Sequence, residues 1–163
     1  MSDAAALRER AWDAAAQVVD PEIPVLSIAD LGVLREVRVT GDAVEVVITP
    51  TYSGCPAMRM IELEIETALR AAGIDKLRIR TVLSPAWTTD WLSDAGRRKL
   101  ALYGIAPPER AASRRALFAA DAVACSRCGS PQTERLAEFG STSCKALYRC
   151  RACGEPFDYF KCH

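Results

Sequence analysis

Histidine is nearly absent from this chain of 163 residues, because its single histidine is the last residue, His163. A Ser–His–Asp triad, a facial iron triad and a Glu-x-x-His di-iron site all need histidine inside the chain. No two of the nine glycines are separated by a single residue, so neither a Gly-x-Gly dinucleotide turn nor a P-loop is present. Most of the familiar catalytic residue sets are therefore absent from the sequence.

Net charge and long apolar segments are also absent. Basic residues (Lys and Arg) and acidic residues (Asp and Glu) number 21 each, so no overall charge attracts nucleic acid or an anionic membrane. No segment approaches the roughly 20 apolar residues of a membrane span, and charges at Arg8, Glu9 and Arg10 interrupt any signal-peptide segment. We expect a soluble, cytoplasmic protein with no membrane partner.

Cysteine, in contrast, is plentiful, and six of the seven cysteines lie within residues 125–163. They include two Cys-x-x-Cys pairs: Cys125 with Cys128, and Cys150 with Cys153. Four thiolates suit the tetrahedral coordination of zinc, and Gly129 and Gly154 can supply the positive φ of tight metal-binding turns. The pattern predicts a zinc ribbon with one structural zinc. Redox dithiols or disulfides are the alternative, which a cytosolic chain disfavours.

Three residues near the end of the chain, Cys144, Cys162 and His163, fall outside the two pairs. Two interpretations stay open for them. Cys144 can pack as a small apolar side chain beside a mobile tail. Alternatively, the three residues form a second metal site or a sulfur-rich surface.

Apolar periodicity predicts an α+β fold for the first part of the chain, a small sheet with packed helices. We expect a helix over residues 3–19, a hairpin over 37–48, a second helix over 58–72 and a third strand over 77–83. A further helix, capped by Thr88 or Thr89, is expected to run to Tyr103. In the β-rich zinc ribbon that follows, strands are expected over 136–139, 146–150 and 157–160.

These patterns predict three parts, residues 1–104, 105–121 and 122–163, with the middle part a helical basic connector. Six basic residues lie between residues 94 and 120, against Asp94 and Glu109: Arg97, Arg98, Lys99, Arg110, Arg114 and Arg115. A solvated helix and a docking face for an acidic or phosphate-bearing partner both remain open.

Cys55 is the only cysteine before residue 125 and lies in Ser-Gly-Cys-Pro, immediately before the predicted helix. The positive end of a helix can lower the pKa of a thiol, which makes Cys55 a candidate reactive thiol or metal ligand. A buried cysteine that only fills space is the alternative. Loop residues Asp20, Glu22 and Thr51 are its candidate partners, although capping of local turns explains the carboxylates equally well.

Four segments of the first part resemble the SufT-like iron–sulfur assembly family: residues 20–25, 30–32, 49–56 and 84–88. Their order and spacing extend this resemblance over about residues 4–104. It implies a metal or cluster role for Cys55.

The second part adds four segments that resemble the PaaD family: residues 96–100, 103–108, 139–150 and 155–163. This family provides the small accessory subunit of the multicomponent phenylacetyl-CoA epoxidase of aerobic phenylacetate degradation. The resemblance implies a non-catalytic factor that assists assembly of iron–sulfur or di-iron centres. Its implied partners are the oxygenase and reductase subunits or iron–sulfur assembly proteins, and its implied cargo is a transient iron–sulfur cluster or iron.

Two functions of other classes stay open. A zinc-ribbon regulator would meet nucleic acid or protein through the ribbon's basic residues: Arg127, Arg135, Lys145, Arg149 and Arg151. Acidic residues interleave with them, so no basic stripe forms and nucleic acid is disfavoured. A thiol oxidoreductase would need a second cysteine close to Cys55 in space. The sequence leaves the oligomeric state open, a homodimer included.

Overall fold

The computed structural model describes residues 2–108 and 123–161. The chain divides into two compact units, Met1–Trp87 and Thr88–His163. Most of the predicted connector, together with Cys162 and His163, lies outside the described residues. None of the helices within 2–108 and 123–161 has both the length and the apolar character of a membrane span.

The first unit contains three helices and three strands: α1 (Asp3–Ala16), α2 (Ile28–Leu31), β1 (Leu34–Thr40), β2 (Ala43–Ile48), α3 (Met58–Ala71) and β3 (Leu77–Thr81). Strands β1 and β2 form the predicted antiparallel hairpin, and β3 joins β2 in parallel after the α3 crossover. Serine hydroxyls cap the first two helices, Ser2 for α1 and Ser27 for α2.

One face of this sheet forms the core of the first unit. Alternate residues of β2 are buried there, and one stripe of α3 supplies the buried residues Ile61, Ile65 and Leu69. Helix α1 packs on β1 and α3 through small side chains, Ala11 and Ala15. Burial of each large aliphatic side chain is worth about 1.5–3 kcal/mol, so the helical periodicity of the sequence fixes which face of α3 turns inward.

The second unit contains a 3₁₀ turn (Thr89–Trp91), α4 (Asp94–Tyr103) and four strands: β4 (Ile105–Ala106), β5 (Thr133–Ala137), β6 (Lys145–Cys150) and β7 (Pro156–Phe160). The strand order is β4-β7-β6-β5. Its core combines Tyr148 and Phe157, whose rings stack with centroids 5.8 Å apart, with the first cysteine of each pair. The predicted α+β class with a β-rich ribbon is confirmed.

Two expectations about residues 88–106 are wrong. Thr88 caps only the 3₁₀ turn, and a separate helix begins after Ser93, whose hydroxyl accepts a hydrogen bond from the Gly96 amide at 2.9 Å. The predicted connector also loses its first residues, because Ile105–Ala106 forms β4 and pairs with β7. In the structure α4 belongs to the second compact unit, whereas the sequence pattern places it in the first part.

Candidate metal centre and thiol loop

Four cysteines of the second unit bring their sulfurs together: Cys125, Cys128, Cys150 and Cys153. All four Sγ atoms lie within 4.8 Å of one another. The Sγ atoms of Cys125 and Cys153 are 3.8 Å apart, and those of Cys128 and Cys150 are 3.6 Å apart. Sulfurs placed tetrahedrally about 2.3 Å from zinc lie about 3.8 Å from one another. The observed spacing therefore fits a zinc ion and exceeds the roughly 2.05 Å of a disulfide.

The two Cys-x-x-Cys pairs adopt the same turn. In each turn the amide of the following glycine donates to the carbonyl of the first cysteine at 2.9 Å, Gly129 to Cys125 and Gly154 to Cys150. Both glycines have positive φ, 74° and 79°, as predicted. The first cysteine of each turn is buried in the ribbon core and the second is exposed. A metal bound here would lie at the edge of that core.

The hydrogen bonds in the four-cysteine cluster give its thiols different pKa values. Backbone amides of Cys153 and Ala152 donate to the Cys150 sulfur and lower its pKa to about 7, despite burial. For Cys153, the Glu155 amide favours the thiolate, but burial and the neighbouring thiols raise its pKa to about 12. Without a metal, some of these thiols therefore stay protonated, and a bound cation would displace their protons.

Cys144 is not a member of this group. Its side chain is 5% exposed, and its sulfur lies 3.0 Å from the Thr142 hydroxyl. The second-site hypothesis also needs Cys162 and His163, which lie outside the described residues.

The first unit holds Cys55 in the loop between β2 and α3, next to three groups that the sequence analysis named as candidate partners. The Thr51 hydroxyl donates a hydrogen bond to the thiol, and the carboxylates of Glu22 and Asp20 act on it electrostatically. The Ala57 amide is a further donor that sequence reasoning missed, because a backbone group leaves no residue-type signal. These contacts bring two separate loops to one half-buried sulfur.

The predicted low pKa of Cys55 is wrong in direction. Burial is the largest cause and raises the pKa above its ordinary value, and the charges of Glu22 and Asp20 raise it further. Helix α3 begins at Met58, so Pro56 precedes the helix instead of occupying its first position. The Ala57 amide and the Thr51 hydroxyl favour the thiolate, but they do not offset burial.

Asp20 has two roles in this loop. It is only 7% exposed, and one carboxylate oxygen accepts hydrogen bonds from the amides of Glu22 at 2.7 Å and Ile23 at 3.0 Å. These bonds shape the loop, as the capping alternative proposed, and they fix a negative charge near Cys55. Asp20 therefore both caps its own loop and places a negative charge near the Cys55 thiol.

Both halves of the chain match models of known protein families. A model of iron-sulfur cluster assembly proteins matches residues 8–79, and a model of the PaaD zinc beta ribbon domain matches residues 109–161. An Escherichia coli (strain K12) protein, provisionally named as a subunit of 1,2-phenylacetyl-CoA epoxidase, is 47% identical over 151 residues, which cover 93% of this chain and 90% of the relative. The chain belongs to the PaaD family.

Other relatives match the first part of this PaaD-family chain. The Bacillus subtilis (strain 168) protein named Fe-S protein maturation auxiliary factor YitW is 34% identical over 90 residues, 54% of this chain and 87% of the relative. A Bacillus anthracis domain of unknown function, DUF59, has a TM-score of 0.56 at 21% identity and covers 60% of this chain and 94% of its own. That likeness shows the fold.

The two candidate sites fall in different matched segments of the PaaD-family chain. Cys55 and its three neighbouring side chains lie within residues 8–79, the iron–sulfur assembly match. The four-cysteine centre lies within residues 109–161, the zinc ribbon match.

An acidic residue and burial reduce the exposed basic surface of the ribbon. Glu134 accepts from both Arg149 and Arg151, at 2.8 Å for the Arg151 pair, and these guanidinium groups hold its pKa below the ordinary value. Lys145 is 7% exposed. Three of the five basic residues that a nucleic-acid interface would use are therefore paired or buried.

Proposed function

We propose that this PaaD-family chain is a non-catalytic accessory factor of a phenylacetyl-CoA epoxidase system, which assists assembly of iron–sulfur or di-iron centres in partner subunits. The names of two relatives support the two elements of the proposal, an epoxidase subunit and an Fe-S maturation factor. The oxygenase and reductase subunits, or iron–sulfur assembly proteins, are its proposed clients.

The observation that carries the proposal is the arrangement around Cys55. A soft sulfur ligand lies beside two carboxylates that attract cations, within the segment that matches iron–sulfur assembly proteins. Because burial and negative charge keep the thiol protonated, it resists oxidation, which attacks the thiolate. An arriving iron ion or cluster would favour loss of that proton, since a coordinating thiol is deprotonated by the metal's charge.

A single thiol binds a metal ion or cluster weakly, and weak binding suits a protein that transfers its cargo. A site that stores a metal needs several ligands in fixed geometry, whereas a site that passes cargo onward must release it. Cys55 is the only cysteine of the unit Met1–Trp87, so a thiol pair within that unit is excluded. This disfavours the thiol oxidoreductase alternative.

The ribbon has a different proposed role. Cys125, Cys128, Cys150 and Cys153 would hold one zinc with four protein ligands and no open position, which is the pattern of a structural site. Zinc binding would stabilise the folded ribbon, because a domain of about 40 residues cannot reach sufficient stability from apolar burial alone.

Co-production of this chain with the epoxidase subunits tests the proposal. With Cys55→Ser or Cys55→Ala, the chain should fold and keep its zinc, while the partner subunits should lose activity and contain less iron. Ser53→Ala is the matched control, because Ser53 is an exposed side chain of the same loop. If both Cys55 variants yield fully metallated and active partners, Cys55 is a packing residue and the proposal fails.

A further inference from the structure

Strand β3 forms one edge of the β1-β2-β3 sheet, and its outer side has no strand beside it in the described part of the chain. The Lys76 carbonyl and the Val82 amide, just outside its two ends, hydrogen-bond to the β2 segment. Backbone groups of successive strand residues point to alternate sides, so the N–H and C=O groups of Ile79 point away from β2. At the opposite edge of the sheet, in contrast, the Arg8 side chain donates to the Val37 carbonyl of β1 at 3.1 Å.

A groove of about 570 Å³ lies beside the open edge, between β3 and α3. Met60 and Leu63 of α3 and Leu77 and Ile79 of β3 supply its apolar lining. The two β3 side chains lie on the helix-covered face of the sheet, because Ile79 pairs with the buried Val46. Met60 and Leu63 are 48% and 56% exposed. A strand added to this edge would therefore place every second side chain on an apolar surface.

The other face of β3 is basic. Arg78 and Arg80 are both exposed there. Glu45 of β2 pairs with Arg78 in the strand register, at 3.7 Å, whereas Val47 pairs with Arg80. Arg80 has no ion pair in the part of the chain that the structure describes. A carboxylate facing Arg80 from the open side would form a favourable cross-strand pair.

A second copy of β3 fits this edge poorly. Its arginines alternate with the residues that line the groove, at Arg78 and Arg80. In an antiparallel pair of two copies that keeps both apolar surfaces on one side, each of these arginines would face an arginine. Like charges directly opposite each other destabilise a strand pair. Charge complementarity therefore favours a partner with acidic residues.

We propose that the open edge of β3 binds an extended segment of a partner protein in which apolar and acidic residues alternate. Backbone hydrogen bonds to Ile79 would add the segment to the sheet as a fourth strand. Its apolar side chains would cover Met60 and Leu63, and an acidic side chain would face Arg80. This surface shares no residue with the surroundings of Cys55, so the proposal does not rest on the function proposed for that thiol.

Amide hydrogen exchange of the zinc-loaded full chain, followed by NMR at about 0.15 M salt, tests the proposal. The probe is a synthetic peptide of alternating valine and glutamate, about seven residues long. It should protect the Ile79 amide from exchange, because strand pairing supplies the acceptor that this outward N–H lacks. A peptide of the same composition, with the valines and glutamates in separate blocks, should give no protection.

Variants of the groove should change the affinity of the alternating peptide, measured by fluorescence anisotropy. Leu63→Ala should weaken binding about tenfold, since it removes most of one apolar contact. Leu102→Ala is the matched control, because Leu102 is an exposed leucine of α4 outside the groove, and it should leave the affinity unchanged. Arg80→Gln should weaken binding by up to about fivefold, the range of one cross-strand charge pair.

Several results would overturn the proposal. The peptide could fail to bind at millimolar concentration, or it could bind without protecting the Ile79 amide. Equal weakening by Leu63→Ala and Leu102→Ala would show that the groove is not the binding surface. Protection of Ile79 in the free chain would assign the edge to another occupant. That occupant is a second copy if protection increases with protein concentration, and another segment of the same chain if it does not.

Discussion

Two thiols of this chain, Cys55 and Cys150, have pKa values displaced in opposite directions for separate physical reasons. At Cys150 backbone amides point at the sulfur and lower its pKa to about 7. At Cys55 burial, together with the charges of Glu22 and Asp20, raises the pKa. The first arrangement favours a resident metal, which needs thiolates. The second favours a thiol that stays protonated until a cation arrives.

Removal of one carboxylate charge beside Cys55 should lower the pKa of that thiol. Asp20→Asn keeps an oxygen that can accept the Glu22 and Ile23 amides, so the loop should hold while the thiolate loses an unfavourable neighbour. The rate of Cys55 alkylation by iodoacetamide, measured by peptide mapping, should increase at a lower pH in this variant than in the unchanged chain. In the unchanged chain, the pH at which the rate is half-maximal should lie above 9.0, the ordinary pKa of a cysteine thiol.

Two further variants calibrate this measurement. Glu22→Gln should shift the midpoint in the same direction, because Glu22 acts on the thiol at least as strongly as Asp20. Glu64→Gln, an exposed position of α3 with no influence on Cys55, should leave it unchanged. Identical profiles for all variants would show that the carboxylates do not act on Cys55.

At the scale of elements, the two metal-binding turns depend on a backbone conformation that only glycine adopts freely. Gly154 has φ 79°, and a Cβ placed there would meet nothing within 4 Å. Gly154→Ala should therefore act through backbone strain alone, about 1–2 kcal/mol, and weaken zinc binding about tenfold in a chelator competition. Gly154→Asn should recover much of the loss, because asparagine tolerates this region. An unchanged affinity in the alanine variant would contradict the strain argument.

The ribbon should fold only with its metal. Cys128→Ser removes one of four ligands, so zinc content should fall well below one per chain and residues 123–161 should lose amide protection in hydrogen exchange. Residues 3–81 should keep theirs, because that sheet has its own core. Cys144→Ser, the same substitution at a cysteine outside the cluster, should keep full zinc. Retention of zinc and order in Cys128→Ser would show that the ligand assignment is wrong.

Sequence patterns predict those elements that local chemistry determines. The hairpin, α3 and the turns at Gly129 and Gly154 follow from apolar periodicity and positive-φ requirements, and the structure contains them. Strand β4 does not follow, because two residues carry no period and gain their strand geometry only from pairing with β7. The separation of the 3₁₀ turn from α4 at Ser93 does not follow from the sequence either, because several residues in that segment can cap a helix.

The candidate sites show the same limit. Spacing alone predicts the four-cysteine centre, since each pair closes through one short turn. The environment of Cys55 depends on how deeply a loop is buried and on where a second loop places its charges. The position of Cys55 just before a helix therefore predicts the wrong direction for its pKa.

For the whole molecule, balanced charge disfavours a nucleic-acid partner. The chain has no net charge, and Glu134 forms ion pairs with two of the arginines on the ribbon. Binding to DNA or RNA should be no tighter than the non-specific range of about 10⁻⁶ to 10⁻⁴ M and should weaken steeply with salt in fluorescence anisotropy titrations. Submicromolar, sequence-selective binding at physiological salt would favour the regulator alternative instead.

We propose two metal functions on different cysteines of this chain, structural zinc on the ribbon and transient iron cargo on Cys55. Elemental analysis with visible absorption, on protein purified without oxygen and exposed to iron and sulfide, tests this proposal most directly. The unchanged chain should contain one zinc and bind iron with a thiolate absorption band. Cys55→Ser should keep the zinc and lose the iron and the band. Zinc loss in Cys55→Ser, or equal iron in both proteins, would contradict the claim.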